Sequence, residues 1–583
     1  MCGIIGYKGG ANATGIVIQG LKSMEYRGYD SWGIAIKNAK IKVLRKVGKV
    51  GDFNGELPES NIAIGHTRWA THGSATEANS HPHSDCSGKI QVVHNGIIEN
   101  YRELKQELIS IGHKFCSETD TEVIPHLIEE FMKTNSFESS TQLAIRKLKG
   151  NYAILTIHEN ENKMVAARNG SPLVVGIKDN EYFVASDIPA FLKHTRDVVF
   201  LDDNEMAVIN EDIRFINILN GNENDKKISK VEWNIEQAQK GNYDHYMLKE
   251  IIEQKQSLAN VANRDTKKIE DFANAINNSF GVFFVACGTA YHAALVGSYL
   301  FSSITKKHVN VVLGSEFPNY KDFITEKSLI IPISQSGETA DVIASVKSAK
   351  EKGAKVYSIV NSVSSSLVRY SDDFLPLGAG LEMAVASTKA FTSQVAILAL
   401  LAFACANKTE EGKQKLNDLI TKVNMLMNDP FLNCIKTLAL QIKKNDLFTI
   451  GRSINYPIAM EAALKIKEVS YIHAEGYAGG ELKHGPIALI ENGTPCIVFA
   501  SNDKNKYDII SNATEIKARG GYIIGVSPER NEVFDYWIFV PDAGEMSPIV
   551  NVIPAQLLAY YLALNKNLDP DKPRNLAKSV TVF

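Results

Sequence analysis

The second residue of the chain is a cysteine, in Met1-Cys2-Gly3-Ile4-Ile5-Gly6, and removal of the initiator methionine would leave a thiol and an α-amine on one residue. An α-amine titrates near ~8, so part of it is unprotonated at neutral pH and can take the thiol proton, directly or through one water. One residue then supplies nucleophile and base for acyl transfer; the alternative is an incidental near-terminal thiol. Acyl transfer also needs donors aimed at a developing oxyanion, which the side-chain amide of Asn95 and the N–H of Gly96 could supply. A guanidinium suits an α-carboxylate and a carboxylate suits an α-ammonium, which makes Arg68 and Asp120 candidates for holding an amino acid. The plainer alternative makes that pair members of surface ion pairs and Asn95-Gly96 a hairpin turn.

A second chemistry sits further along. Ser334-Gln335-Ser336-Gly337-Glu338-Thr339 follows an apolar run and precedes a helical stretch at 340–352. Hydroxyls, a glycine and unpaired N–H groups at a helix N-terminus favour a phosphate, though a serine-rich cap would read the same way. Lys465 and Glu468 stand three apart in a helical run and share a face. They are either an intrahelical ion pair or, beside a sugar carbonyl, an ammonium and a carboxylate suited to proton transfer. Five histidines, His66, His72, His81, His83 and His94, match no ligand spacing, and the seven cysteines include no CxxC pair. Neither a metal site nor a disulfide framework is expected.

The elements that must position these groups divide into two grammars. Up to about residue 219 short β-type runs and Gly-rich turns alternate with helical stretches near 14–24, 100–111 and 121–134, an α+β pattern with antiparallel sheets. A polar segment, NGNENDKKISK at 220–230, marks a boundary, and a helical connector follows. From about 283 strands alternate with helices, predicting parallel sheets with helical crossovers, and the pattern occurs twice. FFVACGTAYHAAL is echoed by FTIGRSINYPIAM, LIIPISQSG by CIVFASND, VYSIVNS by YIIGVSP and LGAGLE by VPDAGE, all about 165 residues apart. The phosphate-loop echo, Ser501-Asn502-Asp503-Lys504, keeps one hydroxyl and gains an aspartate, so one phosphate site per chain is expected.

With 583 residues the chain is too long for one core. Its formal net charge of −3, without a basic block, gives nucleic acid nothing to track. No charged leader with an apolar core is evident, and the longest apolar run, 395–406, is short of the ~20 residues a membrane span needs. A cytosolic protein with that run as a buried helix is the expectation.

Cys2-Gly3-Ile4, EYRGYDS (25–31), GHTRWATHG (65–73), HPH (81–83), HNGIIENY (94–101) and SETDTE (117–122) resemble the glutaminase domain of the glutamine:fructose-6-phosphate amidotransferases. HYMLKEIIEQ (245–254), SQSGETADV (334–342), VASTKAFTSQ (385–394), ALKIKEVSYIHAE (463–475), GELKHGP (480–486) and PRNLAKSVTV (573–582) resemble that family's two sugar-isomerase domains. The resemblance implies an N-terminal-nucleophile glutaminase domain of four layers (2–220), a connector (221–265), two tandem α/β sugar-isomerase domains with parallel sheets (266–425 and 426–573) and a tail entering the sugar site (574–583). It implies that Cys2 forms a γ-glutamyl thioester with its own amine as base, that Asn95 and Gly96 form the oxyanion hole, and that Arg68 and Asp120 hold glutamine with Trp69, Thr71 and His72 around it. Ammonia then passes internally to a sugar site. There, Ser334, Gln335, Ser336 and Thr339 hold the phosphate and Thr289, Val385, Ser387 and Ala577 line the sugar. Lys578 forms a Schiff base, Glu468 moves protons between carbons 1 and 2 with Lys465 assisting, and His484 helps open the ring. The family implies glutamine and fructose 6-phosphate as substrates, a homodimer, and no metal or organic cofactor.

Five departures stand against the family pattern: Trp32 where a small residue is usual, placed near the glutaminase cleft, Ala290 where a hydroxyl is expected at the sugar-phosphate pocket, Ala384 for a glycine, Lys255 for a proline, and Phe583 for the usual final glutamate. Trp32, Ala290 and Ala384 motivate one rival, a paralogue acting on another ketose phosphate; a second rival is a non-catalytic sugar-phosphate sensor built on isomerase domains. The nucleophile and proton-transfer groups argue against the sensor.

Overall fold

Neighbouring residues of the strand Gly3–Lys8 serve two different cores, as the two-residue period of a strand requires. Ile4 packs with Ile64, Val93, Leu155 and Ala166, whereas Ile5 packs with Val17, Leu21 and Phe191 on the opposite face. The computed structural model describes residues 2–70, 72–231, 240–363 and 365–581, and contacts group the chain into two units, Met1–Ala238 with Ala577–Phe583, and Gln239–Leu576.

In the first unit the strand Gly3–Lys8 lies antiparallel to Ile62–Arg68 inside an eight-stranded sheet. A six-stranded sheet holds Ile90–Ile98 antiparallel to Gly150–His158. One apolar cluster draws on the facing sides of both sheets. The helix Ala13–Ser23 contributes to a second cluster with the outer face of the larger sheet. The helices Tyr101–Ser110, Val123–Met132 and Phe137–Lys147 contribute to a third with the outer face of the smaller one. The layers are therefore helix, sheet, sheet, helix, as expected.

The second unit contains two five-stranded parallel sheets. Their strands run Asn310–Leu313, Gly281–Ala286, Ser328–Ser334, Lys355–Val360, Asp373–Pro376 in one, and His473–Ala478, Asp446–Gly451, Pro495–Phe499, Tyr522–Ser527, Tyr536–Phe539 in the other. Each sheet has its second strand outside its first and its third on the other side, so the echo seen in the sequence is a repeat of topology. Leu329, Ile331 and Ile333 enter a core shared by both sheets, while Ile330 enters a separate cluster on the other face, which is why this strand reads as a continuous apolar run. The run at 395–406 lies, up to Cys405, in the helix Lys389–Cys405, which is buried at every residue. The segment Gly544–Asn565 is long and apolar enough to cross a membrane, with a mean hydropathy of 1.4, but 94% of that window is buried within the protein. Here it is a core helix.

Candidate active sites

Cys2 precedes the strand Gly3–Lys8 and lies on the side of Ile4, facing the smaller sheet. Its Sγ accepts the Trp69 N–H at 3.3 Å. Its carbonyl oxygen accepts from Asn95 Nδ2 at 3.0 Å and Arg27 Nε at 3.2 Å. Asn95 and Gly96 lie within the strand Ile90–Ile98, so they are no hairpin turn. Asn95 is aimed by a neighbour. His66 Nε2 stands 3.1 Å from Asn95 Oδ1 and 2.9 Å from the His94 carbonyl; both are acceptors, so Nε2 carries the proton. Asn95 Oδ1 is thereby occupied and Nδ2 faces Cys2, with one of its two hydrogens on the Cys2 carbonyl. Burial drives the His66 pKa down to about 3, so the ring stays neutral. Gly96 has φ +119°, a backbone closed to side chains, and an added Cβ would strike the Asn151 carbonyl.

Arg68 is 3% exposed and donates to the main-chain carbonyls of Gly73 at 2.9 Å and Ser74 at 3.1 Å, and to that of His72. It is a buried organiser of that loop, not a surface ion-pair member. Burial lowers its pKa, and the charges of Cys2, Asp30 and Asp120 oppose the shift. Asp120 is 4% exposed and one carboxylate oxygen accepts the Ile98 N–H at 2.7 Å, which leaves the other for a ligand. His72 is half-buried, edge-on to Tyr101 at 5.7 Å, and Trp69 is half-buried beside Cys2. Thr71 lies outside the described residues.

The EYRGYDS segment supports this site. Arg27 and Tyr26 meet Asp187 at 2.8 and 2.6 Å. A Cβ on Gly28 would come within 2.7 Å of the Arg68 carbonyl carbon, and Asp30 accepts the Ala70 N–H at 2.9 Å. Trp32 is not at the cleft. It joins the cluster on the helix-covered face, opposite Cys2, edge-on to Phe53 at 5.1 Å, so this departure is a packing change.

In the second unit, strand order places a crevice between the carboxyl ends of Gly281–Ala286 and Ser328–Ser334, where open α/β sheets bind ligands. The loop 334–339 emerges from one strand and Thr289 follows the other. Ser334 Oγ accepts the Gly337 N–H at 2.9 Å and Ser336 Oγ the Glu338 N–H at 3.2 Å, while Gly337 takes φ +67°. Gln335, Ser336 and Thr339 are half-buried at the start of the helix Ala340–Glu351. In the second copy Ser501 Oγ is taken by Asn455 and Asn551, both at 2.9 Å.

Lys465, 1% exposed, lies 2.6 Å from Glu468 Oε2 and 3.5 Å from Glu461 Oε1, and donates to Thr289 Oγ1 at 2.9 Å. Glu461, fully buried, also meets His292 Nδ1 at 2.7 Å. The helices Thr289–Leu300 and Tyr456–Ser470, equivalent in the two copies, are thus joined at a cluster of charge. Burial pushes the Lys465 ammonium pKa down, but Glu468, Glu461 and Glu382 outweigh it and hold it above its ordinary value. Ser387 donates to Glu382 at 3.0 Å, and Glu382 accepts the N–H groups of Thr388 and Ala390 at the start of the helix Lys389–Cys405.

The chain matches a glutamine amidotransferase domain over residues 66–193 and a SIS domain over 276–404 and again over 441–566. It is 46% identical to the glutamine–fructose-6-phosphate aminotransferase [isomerizing] of Thermococcus kodakarensis and 45% identical to that of Pyrococcus horikoshii, over the whole of each chain. The chain belongs to the glutamine–fructose-6-phosphate aminotransferase family. A solved C-terminal domain of the Francisella tularensis family member superposes with TM-score 0.53 at 34% identity, covering 57% of this chain and 99% of that one.

Among family-implied residues, Val385 is 9% exposed and its N–H is held by the Asp571 carbonyl at 3.1 Å. His484 is exposed beside Gly485 (φ +141°) and contributes no contact to the Lys465 cluster. Ala577 and Lys578 are half-buried in the tail that groups with the first unit. Ala290 is buried in the shared core, and Ala384, fully buried, donates its N–H to Glu250 at 3.2 Å. Sequence reasoning weighed His66 only among five histidines without a ligand spacing, and did not single out Arg27, Asp187, Glu461, His292 or Glu382. Only Glu461 left a local signal, four residues before Lys465.

Proposed function

We propose that this chain converts fructose 6-phosphate and glutamine to glucosamine 6-phosphate and glutamate, with Cys2 as the glutaminase nucleophile and ammonia passed internally. The observation that carries the reading is a buried, charged Lys465 bonded to Glu468 and Thr289 at the crevice beside the serine-rich loop. Cys2, once its amine is free, attacks the glutamine carboxamide. The second hydrogen of Asn95 Nδ2 and the Gly96 N–H receive the oxyanion, ammonia leaves, and water hydrolyses the thioester. Arg68, with Asp120, Trp69, Thr71 and His72, holds the amino-acid end.

At the crevice Ser334, Gln335, Ser336 and Thr339 take the phosphate, and Thr289, Val385, Ser387 and Ala577 line the sugar. An ammonium held charged is neither base nor nucleophile, so Lys465 acts by stabilising negative charge, and the imine with the ketose falls to Lys578. Glu468, 20% exposed, can reach substrate and moves the proton between carbons 1 and 2; Glu461, fully buried, positions Lys465. His484 assists ring opening. We infer further a cytosolic homodimer without nucleic-acid or membrane partners, a reading the family resemblance supports.

Amide-labelled glutamine offered with a panel of ketose phosphates tests this reading: label should enter the product with fructose 6-phosphate. Transfer only to another ketose would establish the paralogue instead. Trp32 faces away from Cys2, which weakens the case for that rival.

A further inference from the structure

Outside both sites, four potential ligand atoms converge on one point of the first unit. Cys86 follows the short strand His83–Ser84, His113 follows the helix Tyr101–Ser110, and His126 and Glu129 stand three apart on one face of Val123–Met132. Cys86 Sγ is 3.6 Å from His113 Nδ1 and 3.5 Å from His126 Nδ1. The two Nδ1 atoms are 3.2 Å apart, and Glu129 Oε2 is 3.1 Å from the first and 3.5 Å from the second. All four lie within 4.8 Å of one another.

The five individual distances match edges of a tetrahedron sized for a metal, and the sixth, from Cys86 to Glu129, is at most 4.8 Å. Zinc–nitrogen and zinc–oxygen bonds of about 2.0–2.1 Å and a zinc–sulfur bond of about 2.3 Å require edges of roughly 3.3 Å between N or O ligands and roughly 3.5 Å to sulfur. Hydrogen bonds alone account for the arrangement poorly, because two imidazole nitrogens facing each other share at most one proton and a proton satisfies one edge, whereas a central cation satisfies all six.

The outer groups agree independently. His113 Nε2 is 3.1 Å from Glu130 Oε2, so Nε2 carries the proton and the Nδ1 lone pair points inward. The Lys114 N–H lies 3.4 Å from Cys86 Sγ, as suits a thiolate. The side chains of His113 and His126 are 6% and 1% exposed.

We propose that Cys86, His113, His126 and Glu129 bind a structural divalent cation of the zinc type. Mixed S, N and O ligands in tetrahedral array select zinc, and four protein ligands leave no open position. This revises the sequence expectation of no metal, which looked for paired cysteines and did not weigh ligands separated by long intervals. The cation would tie the Cys86 loop and the His113 turn to a helix that begins just after Asp120.

The test uses the full-length enzyme, stripped with a chelator and titrated with zinc against a chromophoric competitor, and with cobalt as a spectroscopic probe. One equivalent of zinc per chain should bind, the cobalt form should show tetrahedral ligand-field bands with a thiolate charge-transfer band, and the unfolding midpoint should rise. Cys86→Ser, on an exposed loop and safe for folding, should abolish the charge-transfer band and that equivalent; Glu130→Gln should weaken binding by about 10–100-fold. Failure of the wild type to retain zinc, or a Cys86→Ser protein that binds it equally well with the same spectrum, would overturn the assignment.

Discussion

At the scale of single residues, the two sites depend on groups that fix the reactive ones. Cys2→Ala should reduce glutamine-dependent product by more than about a thousandfold and leave ammonia-dependent product measurable, because only the thiol forms the thioester; a steady-state assay with each nitrogen source checks this. His66 makes a finer prediction. In the proposed mechanism its Nε2–H is what stops the Asn95 amide from turning its oxygen toward the oxyanion. Loss of an oxyanion donor costs about 10²–10³ in kcat, and His66→Ala, which frees the donor without deleting it, should cost about 10–100-fold in glutaminase kcat with little change in KM. His66→Gln, which restores an N–H near the same place, should recover most of it. A loss appearing only in KM would remove the positioning role.

At the scale of elements, the Glu382 carboxylate caps the helix Lys389–Cys405 through two N–H groups and also receives Ser387. Glu382→Ala should cost about 1–2 kcal/mol of stability and raise KM for the sugar phosphate, readable by denaturant unfolding and by kinetics. Gly337→Ala should be as damaging to phosphate binding, because φ +67° and the adjoining Ser365 side chain both exclude a Cβ; phosphate protection in a thermal-shift series measures it. These elements also show what was legible beforehand. The duplicated strand pattern survived in sequence because strands buried on both faces must be apolar, and the proposed phosphate loop survived because hydroxyls and a glycine are consecutive. Cys2, Asn95 and Arg68 were readable by chemical type. The pairings of Glu461 with His292, of His66 with Asn95 and of Arg27 with Asp187 were not, since each is made by packing of elements distant in sequence. Trp32 misled for the same reason: its position near the cleft in sequence does not show which sheet face it occupies.

At the scale of the whole molecule, the apolar clusters sort by unit. Among the described residues, the fully buried members of the first unit's clusters lie between Ile4 and Ile218, and those of the second unit's between Met247 and Ala563. Two cores built this way should melt as two calorimetric transitions, with a glutamine-site ligand raising one midpoint and a sugar phosphate the other. Acid should separate them further. His66, with its pKa near 3 in the folded chain, and His81, held well below its usual value by burial, remain neutral where the unfolded chain already binds protons at ~6.5. The unfolded state is therefore favoured progressively as pH falls from about 6.5 toward 3, by roughly 2 kcal/mol at pH 5 from His66, with His81 acting in the same direction, and stability is regained as pH rises through that window. Both residues belong to the first unit, so its transition should move down on acidification more steeply than the other, and His66→Gln should flatten that slope. A single transition whose calorimetric and van't Hoff enthalpies coincide, shifting as one with pH, would show that the two cores unfold as one cooperative body.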